Sequence, residues 1–187
     1  MDYVIRAVRA EDWKKAREIR LEALQDPAAP IAFLETYEAA AARSDAFWQE
    51  RTANAAAGVR VRQFVAEDPD GRWAGTVSVL VERPSDEAVF GEPAVGDQTH
   101  VVAVFVRSGH RGRGVIDALL REAVAWSWSL EGPRVERVRL HVHEKNARAA
   151  ASYRRNGFLP SGHTVPMEGD PTSLELELEI RRQPADG

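Results

Sequence analysis

A short loop rich in glycine and arginine is the part of this sequence best suited to holding a charged ligand. Residues 111–116 read Arg-Gly-Arg-Gly-Val-Ile and closely follow the apolar run Val101 to Val106. Glycine permits positive φ angles that turn successive N–H groups toward one point, and the first turn of a following helix adds unpaired N–H groups. The loop is therefore expected to bind a diphosphate. The alternative is a solvated turn that only reverses the chain.

Two other phosphate-binding loops do not fit the sequence. A Walker loop ends in Gly-Lys-Ser or Gly-Lys-Thr, and a dinucleotide-binding fingerprint has three glycines in a different rhythm after an early strand. Neither pattern occurs in the chain. A nucleotide-binding site of either kind is therefore not expected.

A second group of residues follows about thirty positions later. Asn146 stands at the predicted start of a helix, where its side chain can cap the first turn. Tyr153 lies two helical turns further on and shares a face with Asn146. A tyrosine there is either ordinary core packing or an acid that donates a proton to a leaving group.

Two histidines, His141 and His143, alternate along a predicted strand and so share one face of a sheet. Such a pair formally allows a metal site, but no third ligand is evident. We interpret the pair as lining of the sheet surface and expect no metal.

Composition restricts the class of protein. The chain has 187 residues, of which 44% are hydrophobic and 29% charged, so we expect one domain over 1–187 with a loose tail from Arg182 to Gly187. A net charge of -4 argues against a nucleic-acid partner. The absence of cysteine excludes disulfides and a cysteine nucleophile and fits the cytoplasm. No apolar run is long enough for a membrane span, and the first residues do not form a signal peptide.

Periodicity and breakers predict alternating strands and helices. Predicted strands are Tyr3 to Val8, Val61 to Glu67, Ala74 to Val81, His100 to Val106, Arg137 to His143 and Leu174 to Ile180. Predicted helices are Glu11 to Gln25, Glu38 to Ala57, Val115 to Leu130 and Ala147 to Asn156. The residues Arg83 to Asp97 are expected to form a long surface connection. The last strand is expected to end a sheet or to pair across a homodimer, with its glutamates as a solvated face.

At this point the sequence resembles the GNAT superfamily of acetyltransferases. That family's hallmark is Arg or Gln, two residues, Gly, one residue, then Gly or Ala, and here it reads Arg111 to Ile116. Asn146, Tyr153 and the pair Gly157-Phe158 match a second family pattern, and the likeness covers nearly the whole chain. Ile116 departs from the pattern, because the family has glycine or alanine at this position. Its β-branched side chain is expected either to crowd the phosphates or to point into the core, and in both cases its backbone N–H is kept.

The resemblance implies an α/β fold with a mixed, mostly antiparallel sheet of about seven strands flanked by about four helices. It implies that strands four and five part to admit the pantetheine arm of acetyl-CoA. The implied activity is transfer of an acetyl group to a primary amine by direct attack, with a small-molecule amine favoured. The alternatives are a protein amino terminus or lysine as acceptor, or a non-catalytic acyl-CoA-binding module.

Site residues follow from the same resemblance. Tyr153 is the expected acid and His100 the expected base, with Asp97, Glu82 and Glu35 as alternatives to His100. The expected cofactor-binding residues are Val104, Phe105, Val106, Arg111, Gly112, Arg113, Gly114, Val115, Ile116, Asn146 and Tyr153. The expected acceptor pocket holds Phe33, Glu35, Tyr37 and the region His163 to Met167.

Overall fold

The structure, a computed structural model, describes residues 2–183. The strands are β1 (Val4–Ala7), β2 (Val61–Glu67), β3 (Trp73–Glu82), β4 (Gln98–Val106), β5 (Arg137–His143), β6 (Leu159–Met167) and β7 (Asp170–Arg181). The helices are α1 (Trp13–Leu24), α2 (Tyr37–Ala41), α3 (Asp45–Ala57), α4 (Val115–Ser129) and α5 (Ala147–Arg155). Short 3-10 turns lie at Ala10–Asp12, Ala29–Ile31 and Ser108–His110.

The seven strands form a single sheet in the order β1-β2-β3-β4-β5-β7-β6. Every neighbouring pair is antiparallel except β4 and β5, which run parallel. That parallel pairing joins only Gln98–Val101 to Arg137–Leu140. Beyond it, β4 and β5 diverge. The arrangement confirms the predicted mixed, mostly antiparallel sheet with strands four and five parted.

The main core lies between the sheet and α4. Leu119, Leu120 and Ala123 of this helix are fully buried against strand residues such as Val77 and Leu140. Burial of each large aliphatic side chain is worth about 1.5–3 kcal/mol. The helix approaches β3 so closely that a Cβ added at Gly75 would lie 3.0 Å from Cγ1 of Val115 and 3.2 Å from Cδ1 of Leu119. This contact fixes the start of α4, and with it the glycine loop, against the sheet.

The predicted helix from Glu38 to Ala57 is two helices. α2 ends at Ala41, and Ser44 then caps α3 by accepting a hydrogen bond from the N–H of Phe47 at 3.2 Å. The alanine-rich sequence has a continuous helical propensity that hides this break. Capping by a serine side chain stabilises a new helix start locally.

The end of the chain differs most from the prediction. β6 was not expected as a strand, because Pro160, Gly162 and Pro166 interrupt its pattern; it is the exposed edge of the sheet. β7 therefore lies between β5 and β6, so the expectation that it ends the sheet or pairs across a dimer is wrong for this sheet. The expectation of a solvated glutamate face is also wrong.

Two of those glutamates, Glu175 and Glu177, are buried. They lie opposite His143 and His141 of β5. Arg182, in the expected loose tail, donates hydrogen bonds to the carbonyl oxygens of Val135 and Trp128. The last four residues of that tail lie outside the described residues. No helix within 2–183 is long and apolar enough to cross a membrane.

Candidate active site

The divergence of β4 and β5 opens a cleft of about 990 Å³. One wall consists of β4, from His100 to Val106, and continues into the glycine loop. The opposite wall comes from β5, α5 and β7, and residues 28–35 close one side. Parting of two strands leaves backbone groups without sheet partners, so such a cleft suits an extended ligand that hydrogen-bonds like a strand.

The glycine loop has the geometry of an anion site. Gly112 and Gly114 have φ angles of 72° and 78°, in the left-handed region that favours glycine. No atom lies within 4 Å of a Cβ added at either position, so the loop faces open space. Gly114 is the N-cap of α4 and has no side-chain cap. The unpaired N–H groups and the helix dipole therefore point a partial positive charge into the cleft.

Ile116 occupies the position where the family pattern has glycine or alanine. Its side chain is partly buried, packs against the main core and also borders the cleft. Its backbone lies in the first turn of α4, where an N–H has no partner within the helix. The residue therefore keeps the donor, and its side chain packs against the core as well as bordering the cleft.

The two loop arginines differ. Arg111 donates from Nε to the carbonyl oxygen of Val106 at 2.9 Å and forms an ion pair with Asp26. Its charge is thus largely engaged in holding the loop to the segment after α1. Arg113 is exposed and is not among the residues that line the cleft. Backbone N–H groups are therefore the main donors of the loop.

Asn146 and Tyr153 lie on α5, on the cleft side. Asn146 caps the helix, as predicted, by accepting from the N–H of Ala149 at 3.2 Å. Tyr153 lines the cleft but is only 7% exposed. Desolvation, reinforced by the charge of Glu175, raises the pKa of Tyr153 above its ordinary value. The hydroxyl therefore stays protonated near neutral pH.

A buried hydrogen-bonded chain joins β3, β4 and β5 at the cleft. His100 Nδ1 lies 2.8 Å from Oε1 of Glu82, and His100 Nε2 lies 3.0 Å from Nδ1 of His141. Burial alone would raise the pKa of Glu82, but hydrogen bonds from His100, Arg139 and Gln98 outweigh it and lower the pKa to about 2. Glu82 is thus an anion that only accepts hydrogen bonds.

The carboxylate fixes the tautomers of both histidines. His100 must carry its proton on Nδ1, so its Nε2 accepts, and His141 must carry its proton on Nδ1. Burial lowers the pKa of His100, and burial with the nearby His100 and Arg139 lowers the pKa of His141 to about 3. Both rings are therefore neutral, and Nε2 of His141 keeps a free lone pair.

That lone pair faces a second buried anion. Glu177 Oε2 lies 3.7 Å from His141 Nε2, which is too long for a direct hydrogen bond. Burial would raise the pKa of Glu177, but hydrogen bonding, including that from Arg139, and the charge of Arg137 lower it to about 2. Two acceptors at this distance suit a donor that lies to one side of them and bonds to both.

Arg139 ties the two anions together. It is fully buried and donates to Glu82 at 2.9 Å and to Glu177 at 3.0 Å. Phe90, from the long loop after β3, accepts from Arg139 through its carbonyl oxygen, and its ring packs edge-on against His141. The loop thus covers this end of the cleft. Within residues 2–183, no group of three or more His, Asp or Glu side chains is arranged to hold a metal ion.

The predicted acceptor residues are only partly brought together. Phe33 and Glu35 line the cleft, but Glu35 is paired with Arg20. Tyr37 lies away from the cleft and packs against the cluster of Leu24, Ala40 and Trp48. Met167 reaches the cleft, whereas His163 is exposed on β6.

The carboxylates considered as alternatives to His100 differ in how close they lie to the cleft. Glu82 touches His100, whereas Asp97 is not among the cleft-lining residues. His100 itself is 1% exposed, so His141 is the more accessible end of the chain. His141 and His143 both line the cleft, on the sheet face where the sequence placed them.

Sequence reasoning missed Glu175. Its side chain lines the cleft near Tyr153, and burial raises its pKa to about 7. Strict alternation of leucine and glutamate along Leu174 to Ile180 put Glu175 and Glu177 on one face. Their register opposite the two histidines of β5 was the missing information, because strand pairing is not readable from one strand.

β4 carries a bulge in the cleft wall. Its pairing with β3 shifts register between Thr76 and Ser78, and Ala103 adopts a φ of 52°. A positive φ at a residue other than glycine is uncommon and costs on the order of 1 kcal/mol or more. The bulge turns the backbone of β4 at the middle of the cleft.

Comparison with known proteins agrees with this geometry. A family model described as the acetyltransferase (GNAT) family matches residues 13–158, more than half of the chain. No curated protein matches the sequence. A GNAT-family acetyltransferase from Streptococcus pneumoniae superposes with a TM-score of 0.73 at 14% identity, over 97% of this chain and 100% of that one.

Two further solved structures are similar. Spermidine N-acetyltransferase from Vibrio cholerae, in complex with CoA and spermine, gives a TM-score of 0.68 at 17% identity over 96% of this chain and 95% of that one. NAA60 from Arabidopsis thaliana, in complex with acetyl-CoA, gives a TM-score of 0.68 at 18% sequence identity, over 96% of this chain and 98% of that one. These likenesses show the fold, and the family model shows membership. The chain is an acetyltransferase of the GNAT family.

Proposed function

We propose that the protein transfers an acetyl group from acetyl-CoA to the primary amine of a small molecule. The observation that carries the proposal is one cleft bordered by an open cradle of N–H donors at Gly112–Ile116, a buried tyrosine and a histidine chain that ends on an anion. The first suits a diphosphate, and the other two suit proton transfer. No other described site combines these groups.

The residues present fit the donor substrate. The N–H groups of the glycine loop and of the first turn of α4 would hold the pyrophosphate, and the freed edge of β4 from Val104 to Val106 would hydrogen-bond the pantetheine arm. Asn146 would border that arm as well. Acetyl-CoA supplies the thioester, and the protein supplies position and proton handling.

The base is the chain of Glu82, His100 and His141. An amine arrives as an ammonium and must lose a proton before its nitrogen can attack. Nε2 of His141 has the lone pair to accept that proton, directly or through a water. Burial and the neighbouring His100 and Arg139 lower the pKa of His141 and weaken it as a base, whereas the charge of Glu177 acts in the opposite direction and stabilises the cation that forms. His100 acts behind it, since its Nε2 is already occupied by His141.

The acid is Tyr153. The amine nitrogen forms a bond to the acetyl carbonyl carbon, the carbon–sulfur bond breaks, and a second proton leaves the nitrogen as the amide forms. The departing thiolate takes a proton from the Tyr153 hydroxyl, the second amine proton restores that hydroxyl, and the first proton leaves His141 for solvent. The raised pKa of Tyr153 keeps its hydroxyl protonated and available at neutral pH.

A small-molecule acceptor is favoured over a protein amine. Val89 and Phe90 of the long loop line the cleft beside His100 and His141, so this end of the site is covered. The rival function is a non-catalytic acyl-CoA-binding module. Such a module needs the glycine loop to bind the cofactor, but it needs no group that accepts a proton from an amine.

Calorimetric titration with acetyl-CoA tests the proposal. We expect the native protein to bind and Gly112→Asp to lose binding, because a carboxylate would occupy the cradle. Gly71→Asp is a matched control, since Gly71 has a φ of 75° and open space around its Cβ but lies in the β2–β3 turn.

Thiol release with a panel of amines then separates the two functions. Turnover with any amine supports the enzyme. Binding of acetyl-CoA without acceleration of thiol release by any amine supports the rival module, and equal binding by Gly112→Asp contradicts the assigned cofactor site.

A further inference from the structure

Two arginines stand together on the side of the cleft formed by the first helices. Arg20 on α1 and Arg51 on α3 both line the cleft. Arg20 donates from Nε and Nη2 to a single oxygen of Glu35, at 3.1 and 2.9 Å. Glu35 is therefore neutralised by an arginine and is not a free anion.

Donors on these arginines lack acceptors. Nη1 of Arg20 is buried without a hydrogen-bond partner. Arg51 is exposed to the cleft and lies 5.9 Å from the centre of the Trp48 ring, and no carboxylate in residues 2–183 is within 4 Å of its guanidinium. A buried guanidinium donor without a partner, such as Nη1 of Arg20, is unfavourable unless a ligand completes it, and the exposed guanidinium of Arg51 is open to the same ligand.

The positive charge around Arg20 and Arg51 also favours a negatively charged ligand. Glu35 pairs with Arg20, and Arg51 has no carboxylate within 4 Å among residues 2–183, so the two guanidinium groups leave a net positive charge here. Desolvation by neighbouring residues and the charge of Arg20 lower the pKa of Arg51, and the negative charge of Glu35 partly offsets this effect. An anion between the two arginines would relieve this repulsion and form charge-assisted hydrogen bonds.

The position suits an acceptor substrate. Arg20 and Arg51 also border a small recess beneath Ala103, the bulged residue of β4, together with Gln63 and Ser78. The recess and the main cleft share Ala103 and Phe105. A ligand group held by the arginines would therefore lie beside the middle of β4, where the cleft wall turns.

We propose that the acceptor amine also carries an anionic group, a carboxylate or a phosphonate, and that Arg51 with Nη1 of Arg20 binds this group. The inference rests on the proposed function and names its substrate class: an amino acid or a related amino-acid analogue. A polyamine does not fit, because a second ammonium would meet Arg51 and because Glu35 is already paired.

The test compares acceptors that differ only in the anion. Thiol release from acetyl-CoA is measured with the common amino acids, their carboxamides, the corresponding aminophosphonates and spermidine. We expect turnover with some carboxylates or phosphonates and at least about tenfold lower kcat/KM for the matched carboxamides, as expected for loss of a charge-assisted hydrogen bond. Comparable turnover of the carboxamides or of spermidine would overturn the proposal.

Variants separate this site from the rest of the enzyme. Arg51→Gln should raise KM for the anionic acceptor about 10- to 100-fold and leave the Kd for acetyl-CoA unchanged, and Arg51→Lys should recover part of the loss. Arg43→Gln is the control, because Arg43 lies over Phe47 and does not line the cleft.

The proposed function and this inference fail in different ways. Calorimetry with acetyl-CoA decides the cofactor site alone. For the acceptor, the CoA-loaded protein is also titrated with the same panel. If no anionic amine binds or reacts, or if Arg51→Gln has the native KM, the anion site is wrong even where acetyl-CoA binds and another amine is acetylated.

Discussion

Nδ1 of His141 lies 3.0 Å from Nε2 of His100, although the two residues are 41 positions apart in the chain. The contact exists because β4 and β5 run parallel with His100 opposite Arg139, which brings the next outward-facing residue of β5 beside the imidazole. With Glu82 behind His100, the direction of every hydrogen bond in this chain is fixed. The free lone pair therefore belongs to His141 and not to His100.

Replacement of His141 by glutamine should lower kcat by about 10²- to 10⁴-fold, the usual contribution of a general base. The Kd for acetyl-CoA should not change, because the glycine loop is untouched. Steady-state kinetics and calorimetry measure the two quantities. His163→Gln is the control, since His163 is exposed on β6. An unchanged kcat in His141→Gln would remove this residue from the mechanism.

Replacement of Tyr153 by phenylalanine should lower kcat by about 10²-fold or more and keep acetyl-CoA binding. The ring still fills the same space between α5 and the sheet, so the melting temperature should stay near that of the native protein. Tyr37→Phe, away from the cleft, should behave as native. A fall in melting temperature without a specific loss of kcat would assign Tyr153 to packing alone.

Replacement of Glu82 by glutamine should destabilise the fold. Glu82 accepts hydrogen bonds from His100 and Arg139, and Arg139 is fully buried. Loss of one partner of a buried ion pair leaves an under-compensated charge and costs about 3–5 kcal/mol. Urea unfolding measures the loss, with Glu92→Gln on the exposed loop as the control. A native unfolding midpoint in Glu82→Gln would contradict a structural role for this carboxylate.

Replacement of Glu175 by glutamine should change how stability depends on pH. Burial raises the pKa of Glu175 from 4.5 to about 7. Because the folded-state pKa lies above the unfolded value, the linked stability is fully present below about pH 4.5 and is lost as the pH rises through about 7. The variant cannot ionise there, so relative to native it should gain up to about 3 kcal/mol between about pH 5 and pH 8.

Thermal unfolding at the two pH values checks this expectation. Glu168→Gln, exposed in the turn between β6 and β7, should keep the native pH dependence. The same pH dependence in Glu175→Gln would mean that another group titrates.

Local signals in the sequence were sufficient for the loop and the helix cap. Glycine spacing at Gly112 and Gly114 predicted the donor loop because positive φ angles are a property of single residues. Asn146 was predicted as a cap because an asparagine side chain can accept a hydrogen bond from an N–H in the first turn of the helix that follows it. The hairpin of β2 and β3 follows from a turn sequence with adjacent apolar runs.

The buried charges were not predictable in this way. Glu177 reads as a surface residue until Arg137 and Arg139 are known to lie on the neighbouring strand. Arg20 likewise forms an ion pair with Glu35 across fifteen positions, so Glu35 is not a free carboxylate in the expected acceptor pocket. Non-local pairing decides such cases, and a single sequence does not contain it.

The short parallel pairing of β4 and β5 makes the molecule two half-sheets joined by a narrow seam. Glu82 and His100 lie on one side of that seam and Arg139 and His141 on the other, so their ionic and hydrogen-bonded contacts reinforce the joint that the backbone leaves thin. Under the proposed mechanism, a proton that arrives at His141 therefore adds a charge to these contacts between the half-sheets. The residues proposed to move a proton are thus also the residues that join the two half-sheets where their backbone pairing is short.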